Sequence, residues 1–160
     1  MFGKLNEIEI EELLSRQFIA RIGCHANGKT YVVPINYAYD GEYVYCHTHE
    51  GMKTTIMREN PKVCFETDAM ESMATWKSVI AWGEFEELTD NNERTKAFDI
   101  LLARTFPFMI SKALKTELGN HYPFLPDDLN SIKGIVFRIK LEEKTGRFDV
   151  QDNLKAVIAG

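Results

Sequence analysis

Asn27-Gly28 stands between two runs in which side chains alternate along the chain, and it limits the fold more than any other feature. A two-residue type I′ turn needs positive φ at both central positions, and Asn-Gly supplies them at low steric cost. Before it, Phe18, Ala20 and Ile22 alternate with Ile19, Arg21 and Gly23. After it, Thr30 to Ala38 forms a second run that ends at another turn signal, Asp40-Gly41, and Tyr43 to His47 follows. These segments predict three strands joined by tight turns into an antiparallel meander.

The rest of the chain reads in the same way. Residues 5–16 are Glu-rich, with Ile8, Leu13 and Leu14 at helical spacing, and predict a short amphipathic helix. Gly51 opens a helix over Met52 to Arg58, which Asn60-Pro61 closes. Lys62 to Glu66 is a fourth strand, Asp68 to Thr75 a loop, and Trp76 to Leu88 a fifth strand. Asp90 and Glu93 have capping-box spacing for a helix with Ala97, Phe98, Leu101 and Leu102 on its apolar stripe. Phe106-Pro107 is expected to interrupt that helix, a second to run from Phe108 to Glu117, and a loop to cover His121 to Asp128. In the sixth strand Ile135, Phe137, Ile139 and Leu141 alternate with Val136, Arg138, Lys140 and Glu142. Short turns, late helices and no βαβα alternation predict a mainly β fold, a six-stranded antiparallel barrel with inserted helices, in one domain over 1–160.

Charge and composition narrow the partners. The net charge is −5, with 24 acidic residues against 19 Lys and Arg. That balance offers no cationic surplus for a phosphodiester backbone, so nucleic acid is not an expected partner. No apolar run approaches the length of a membrane span, and a membrane partner is not expected either. The N-terminus enters an acidic stretch at once and lacks a signal-peptide core, and Cys24, Cys46 and Cys64 have no CxxC spacing. The expectation is a cytoplasmic protein with reduced thiols. GxSxG, HExxH, P-loop and GxGxxG signatures are absent.

The segment Tyr45-Cys46-His47-Thr48-His49-Glu50-Gly51-Met52-Lys53 carries the most chemistry. A strand runs into a Gly-containing turn and a helix begins at once, with Lys53 in its first turn. Free N–H groups and an ammonium there make either a phosphate site or a simple connection with a solvated lysine. His47 and His49 share a strand face, but no further ligands stand at metal spacing, so no metal site is expected. Pro34-Ile35-Asn36 lies inside a strand run. Since proline donates no ladder hydrogen bond, this stretch belongs at an edge, a bulge or a ligand-facing rim. Trp76 and Trp82 either flank a flat aromatic ligand or pack in a core or interface. Cys46 and Cys64 read as small buried residues rather than nucleophiles.

Taken in order, five segments resemble the pyridoxamine 5′-phosphate oxidase-like, FMN-binding split-barrel superfamily. They are Arg21-Ile22-Gly23, Tyr31 to Tyr37, Tyr45 to Lys53, Glu59 to Phe65, and Ser78 to Gly83. Within the superfamily the chain is similar to the flavin-nucleotide-binding branch that includes the 5-nitroimidazole resistance (Nim-type) proteins. The resemblance implies a homodimer with FMN at the subunit interface and a small-molecule substrate. It assigns Lys53, with the backbone of Gly51 and Met52, to the FMN phosphate, and His47 and Thr48 to the phosphate or ribityl chain. Pro34, Ile35 and Asn36 would line the isoalloxazine edge through backbone groups. Ser78 would reach the flavin or its phosphate, and Trp76 or Trp82 would close the pocket from the same or the other subunit. Pyridoxamine-phosphate oxidases carry an Arg-rich motif near the C-terminus that residues 150–160 lack, so a different substrate is expected. The implied activity is that of a flavin-dependent oxidoreductase or reductase. A non-enzymatic flavin carrier or sensor is one alternative. A haem-binding member, with His25, His47, His49 or His121 as axial ligand, is another.

Overall fold

The computed structural model describes residues 1–109 and 133–150. In chain order they form β1 (Phe2–Lys4), α1 (Glu7–Arg16), β2 (Ile19–Ala26), β3 (Lys29–Asn36), β4 (Ala38–Tyr39) and β5 (Tyr43–Thr48). There follow α2 (Met52–Glu59), β6 (Lys62–Ser72), β7 (Thr75–Glu87), α3 (Asn91–Met109) and β8 (Ile135–Val150). The six long strands are those expected from the sequence, and two short ones, β1 and β4, join them.

Asn27 and Gly28 both adopt positive φ, 51° and 75°, and set β2 against β3 in unbroken register from Ala26↔Lys29 to Ile19↔Asn36. The expected meander then departs from expectation. The run over 30–38 breaks at Tyr37, and only Ala38 and Tyr39 pair with β5. The body of β3 pairs with β2 alone. Tyr37 directs its backbone N–H to Phe18 O (3.0 Å) and its hydroxyl to Leu14 O (2.7 Å), so no ladder continues through it. The hydrogen-bonded order is β3-β2-β6-β7-β8-β5-β4, with β1 added on β8. Since β3 and β4 end this path yet are joined by one residue, the sheet must curl until its two edges meet. The result is an antiparallel split barrel.

The inward positions form the core: Ile22 on β2, Val44 on β5, Phe65 on β6, Val79 on β7, and Phe137 and Ile139 on β8 are all fully buried. Helix α1 contributes Leu13 and Leu14 to this core, and α2 contributes Ile56 and Met57. Asn6 caps α1 by a reciprocal box with Glu9 (2.9 and 3.0 Å). Helix α3 packs outside the barrel, where Ala97, Phe98 and Leu101 meet Ala38, Tyr45 and Val136. Asp90 accepts from the N–H groups of Asn92 and Glu93. Only half of the expected box forms there, because the Glu93 carboxylate turns to Arg138 (3.6 Å).

Three further expectations are corrected. The stretch 68–75 is not a loop, because β6 runs to Ser72 and β7 begins at Thr75. Long-range pairing with β7 overrides the weak strand propensity of Asp68, Ala69 and Glu71. Helix α3 passes through Phe106-Pro107 to Met109. A proline so close to a helix end costs a ladder bond without ending the helix at that point. The last strand continues from Leu141 to Val150 because β7 and β1 offer it partners there. The remainder of the helix expected over 108–117, the loop over 121–128 and His121 lie outside the described residues. Among the described residues no helix is long and apolar enough to cross a membrane.

Tyr37→Phe removes one buried hydrogen bond and no packing volume. Its expected cost is about 1–2 kcal/mol, measured as a lower urea midpoint with an unchanged denaturant slope.

Candidate functional site

Helix α2 begins at Gly51, whose carbonyl accepts the first helical bond from Thr55 N–H (3.1 Å). The hydroxyl of fully buried Thr54 accepts from Gly51 N–H (3.0 Å) and donates to Gly51 O (2.8 Å), which fastens the turn. Met52, Lys53 and Thr54 therefore hold N–H groups with no acceptor inside the helix. Lys53 is half-buried and enters no ion pair among the described residues. Burial pushes the thiols of Cys24 and Cys46 up, and the Lys53 charge pulls both the other way. Cys24 and Cys46 belong to the barrel core.

The alternation of β5 separates neighbours in sequence. Val44 and Cys46 face the barrel core, and Thr48 follows them on that side. Tyr45 faces α3, and so does His47. The His47 ring lies 5.5 Å from that of Phe98 and 5.8 Å from that of His49, and its Nε2 is 2.8 Å from Lys133 O. Thr48 and His47 thus lie on opposite sides of β5, with His47 on the α3 side. Burial lowers the affinity of His47 for a proton, the Lys133 carbonyl opposes that, and the charges of His49 and Arg94 reinforce it. No third metal-ligating side chain groups with the two histidines among the described residues.

Pro34, Ile35 and Asn36 lie on β3, an edge strand, one of the places a proline is tolerated in a sheet. Ile35 is buried and its two neighbours are exposed on the outer face. Trp76, Ser78 and Trp82 share that outer face but sit on β7, three strands along in the order β3-β2-β6-β7. At the usual strand spacing this separates them from β3 by about 14 Å. The Ser78 hydroxyl donates to Glu66 (3.1 Å). Arg21, on β2, pairs with Glu66 (3.0 Å) and with Asp68. Trp76 meets Phe2 edge-on at 6.2 Å, and Trp82 stands opposite Cys64. Between β3 and Trp82 lies an open groove of about 540 Å³, lined by Arg21, Gly23, Val32, Cys64 and Glu66 among others.

Among the expected residues, Gly51, Met52 and Lys53 open α2 directly after β5, whereas Pro34 and Asn36 share the outer sheet face with Trp76, Ser78 and Trp82, three strands away. Sequence reasoning missed Thr54, Glu66 and Asp68. Their signal is weak, since a threonine in a helix and acidic residues at outward strand positions read as ordinary solvated positions.

The family model of pyridoxamine 5′-phosphate oxidase matches residues 6–148. The chain belongs to this oxidase family. A relative, an uncharacterized protein of Rhizobium meliloti, is 31% identical over 144 residues, covering 87% of this chain and 89% of the relative. The crystal structure of an FAD-binding protein from Mesorhizobium loti is 27% identical, covers 94% of this chain and 99% of its own, and superposes with a TM-score of 0.72. A candidate 5-nitroimidazole antibiotic resistance protein from Bacteroides thetaiotaomicron shares the fold at 19% identity, covering 92% and 87%, with a TM-score of 0.69. The oxidase-family chain thus has the split barrel, and the Nim-type resemblance has a structural counterpart.

The lowered proton affinity of His47 has a consequence for stability. Between its folded value and the ordinary 6.5, the unfolded chain binds more protons than the folded one, so unfolding free energy rises with pH. The contribution is complete above 6.5 and is lost as pH falls through the folded value. Urea titrations from about pH 7 down to about pH 5 are expected to show His47→Gln with a shallower loss of stability than the parent.

Proposed function

We propose that the protein is an FMN-binding flavoprotein, a flavin-dependent oxidoreductase acting on a small molecule, assembled as a homodimer with flavin at the subunit interface. One observation carries this reading: the half-buried Lys53 ammonium, without a carboxylate partner among the described residues, stands in the first turn of α2. A phosphate dianion fits that place, since it accepts from the ammonium and from the N–H groups of residues 52–54 together. Thr48 ends β5 just before the turn that leads into α2. The unpaired edge of β3 at Pro34, Ile35 and Asn36 offers backbone groups to a planar ring, with Ile35 anchored in the core. When bound, the flavin supplies hydride or electron transfer, and the protein supplies binding, orientation and electrostatics. His47 supports the site from behind, by holding the start of β8 through the Lys133 carbonyl.

The dimer is supported by the outer face. Val32 and Trp82 are 63% and 41% exposed in one row across the sheet, with Gly23 and Cys64 between them, and grouped exposed apolar side chains of this kind mark an interaction surface. The separation of β7 from β3 supports the assignment of the tryptophans to the flavin of the other protomer. The FAD-binding relative supports a flavin nucleotide, and the single cationic anchor favours FMN over the dinucleotide. Free thiols at Cys24, Cys46 and Cys64 suit a reducing compartment, in keeping with a cytoplasmic protein.

The absorption spectrum of the purified protein is expected to show flavin bands, and mass spectrometry of the released cofactor to give FMN. A Soret band in place of the flavin bands overturns the reading. Lys53→Ala is expected to weaken FMN binding by about ten- to a hundredfold, the loss of one charge-assisted hydrogen bond, while riboflavin, lacking the phosphate, binds both proteins alike in a fluorescence titration. Trp82→Glu is expected to shift the protein from dimer to monomer in light scattering at micromolar concentration.

A further inference from the structure

Next to Lys53 stands a carboxylate that works against an anion. Glu50 immediately precedes the cap residue Gly51, and its Oε2 lies 3.3 Å from the Thr54 hydroxyl in the first turn of α2. Arg58, two turns further along the same helix, holds Glu50 by two hydrogen bonds of 2.8 Å. The same guanidinium holds Glu87, at the end of β7, at 2.7 and 2.9 Å. One cation thus ties the turn before α2 to the barrel wall and covers the negative charge nearest the helix start.

From this arrangement we infer that Arg58 is a positioning residue for the anion site: it fixes the Glu50 carboxylate beside the α2 N-terminus and offsets its charge, so that the helix start accepts a phosphate. The inference rests on the phosphate reading above and extends it to residues that do not touch the ligand. Glu50 cannot escape the conflict by protonating, because its pairing with Arg58 holds it below the usual carboxylate range. A carboxylate left free beside a phosphate dianion repels it by an amount that grows as salt is removed. Exposed ion pairs contribute little to stability, and the side chains of Arg58 and Glu50 are 40% and 66% exposed, so loss of Arg58 leaves the barrel intact.

The test is a double-mutant cycle read by flavin fluorescence with FMN and with riboflavin. Arg58→Ala is expected to weaken FMN binding about fivefold at low ionic strength, an effect that fades in high salt, and to leave riboflavin binding and the melting temperature unchanged. Adding Glu50→Gln to that variant is expected to restore FMN affinity. The inference is overturned if Arg58→Ala binds FMN like the parent, or if the double variant remains as weak as Arg58→Ala alone. Equal affinity of the parent for FMN and riboflavin is a different result: it removes the phosphate reading itself, and this inference with it.

Discussion

A one-residue link governs this molecule. β3 and β4 lie at opposite ends of the strand order, yet Tyr37 alone separates them in sequence. A single residue spans under 4 Å, so the two edges of a seven-strand path must come together. The buried Tyr37 side chain makes the closure specific, through its hydroxyl on the Leu14 carbonyl and its ring at 5.0 Å from that of Phe65. Curling gives the sheet an inside, which side chains from β2, β5, β6, β7 and β8 fill. It also leaves β3 paired on one side only.

The long strand β8 answers the same constraint from the other side. It pairs with β1, β5 and β7 over its sixteen residues, and so links the barrel body to the extended hairpin of β6 and β7. A sheet so strongly curled needs local relief, and a register shift between Trp82 and Gly83 supplies it. Gly83 is required there: a Cβ would stand 1.9 Å from the Lys140 carbonyl oxygen. That shift falls beside Trp82, one of the aromatic residues on the outer face.

Electrostatics then distinguish the two ends of the candidate site. On the outer face the charges are matched within the chain, Arg21 with Glu66 and Asp68, and the surroundings are apolar. At the start of α2, Arg58 absorbs two carboxylates, while Lys53 keeps its charge uncommitted among the described residues. An overall charge of −5 is compatible with a local anion site, because the field at a helix start acts over only a few ångströms.

Much of this was legible in the residues themselves. Asn27-Gly28 dictated the β2–β3 hairpin because few other dipeptides reach positive φ twice. The alternation in β8 and the Gly51–Lys53 helix start could likewise be read directly, since periodicity and turn chemistry are local properties. The ordered motifs from Arg21 to Gly83 pointed to the right family. What could not be read depends on partners distant in sequence. The break at Tyr37 depends on Leu14 and Phe18, and the strand character of 68–72 depends on β7. Alternation along β5 already separates His47 from Thr48, but that α3 covers the His47 side is a tertiary fact. The separation of Pro34 and Asn36 from Trp76, Ser78 and Trp82 is also tertiary, because only the strand order sets β7 about 14 Å from β3. Local sequence determined which elements form and where they turn; the closure of the sheet decided which of their side chains meet.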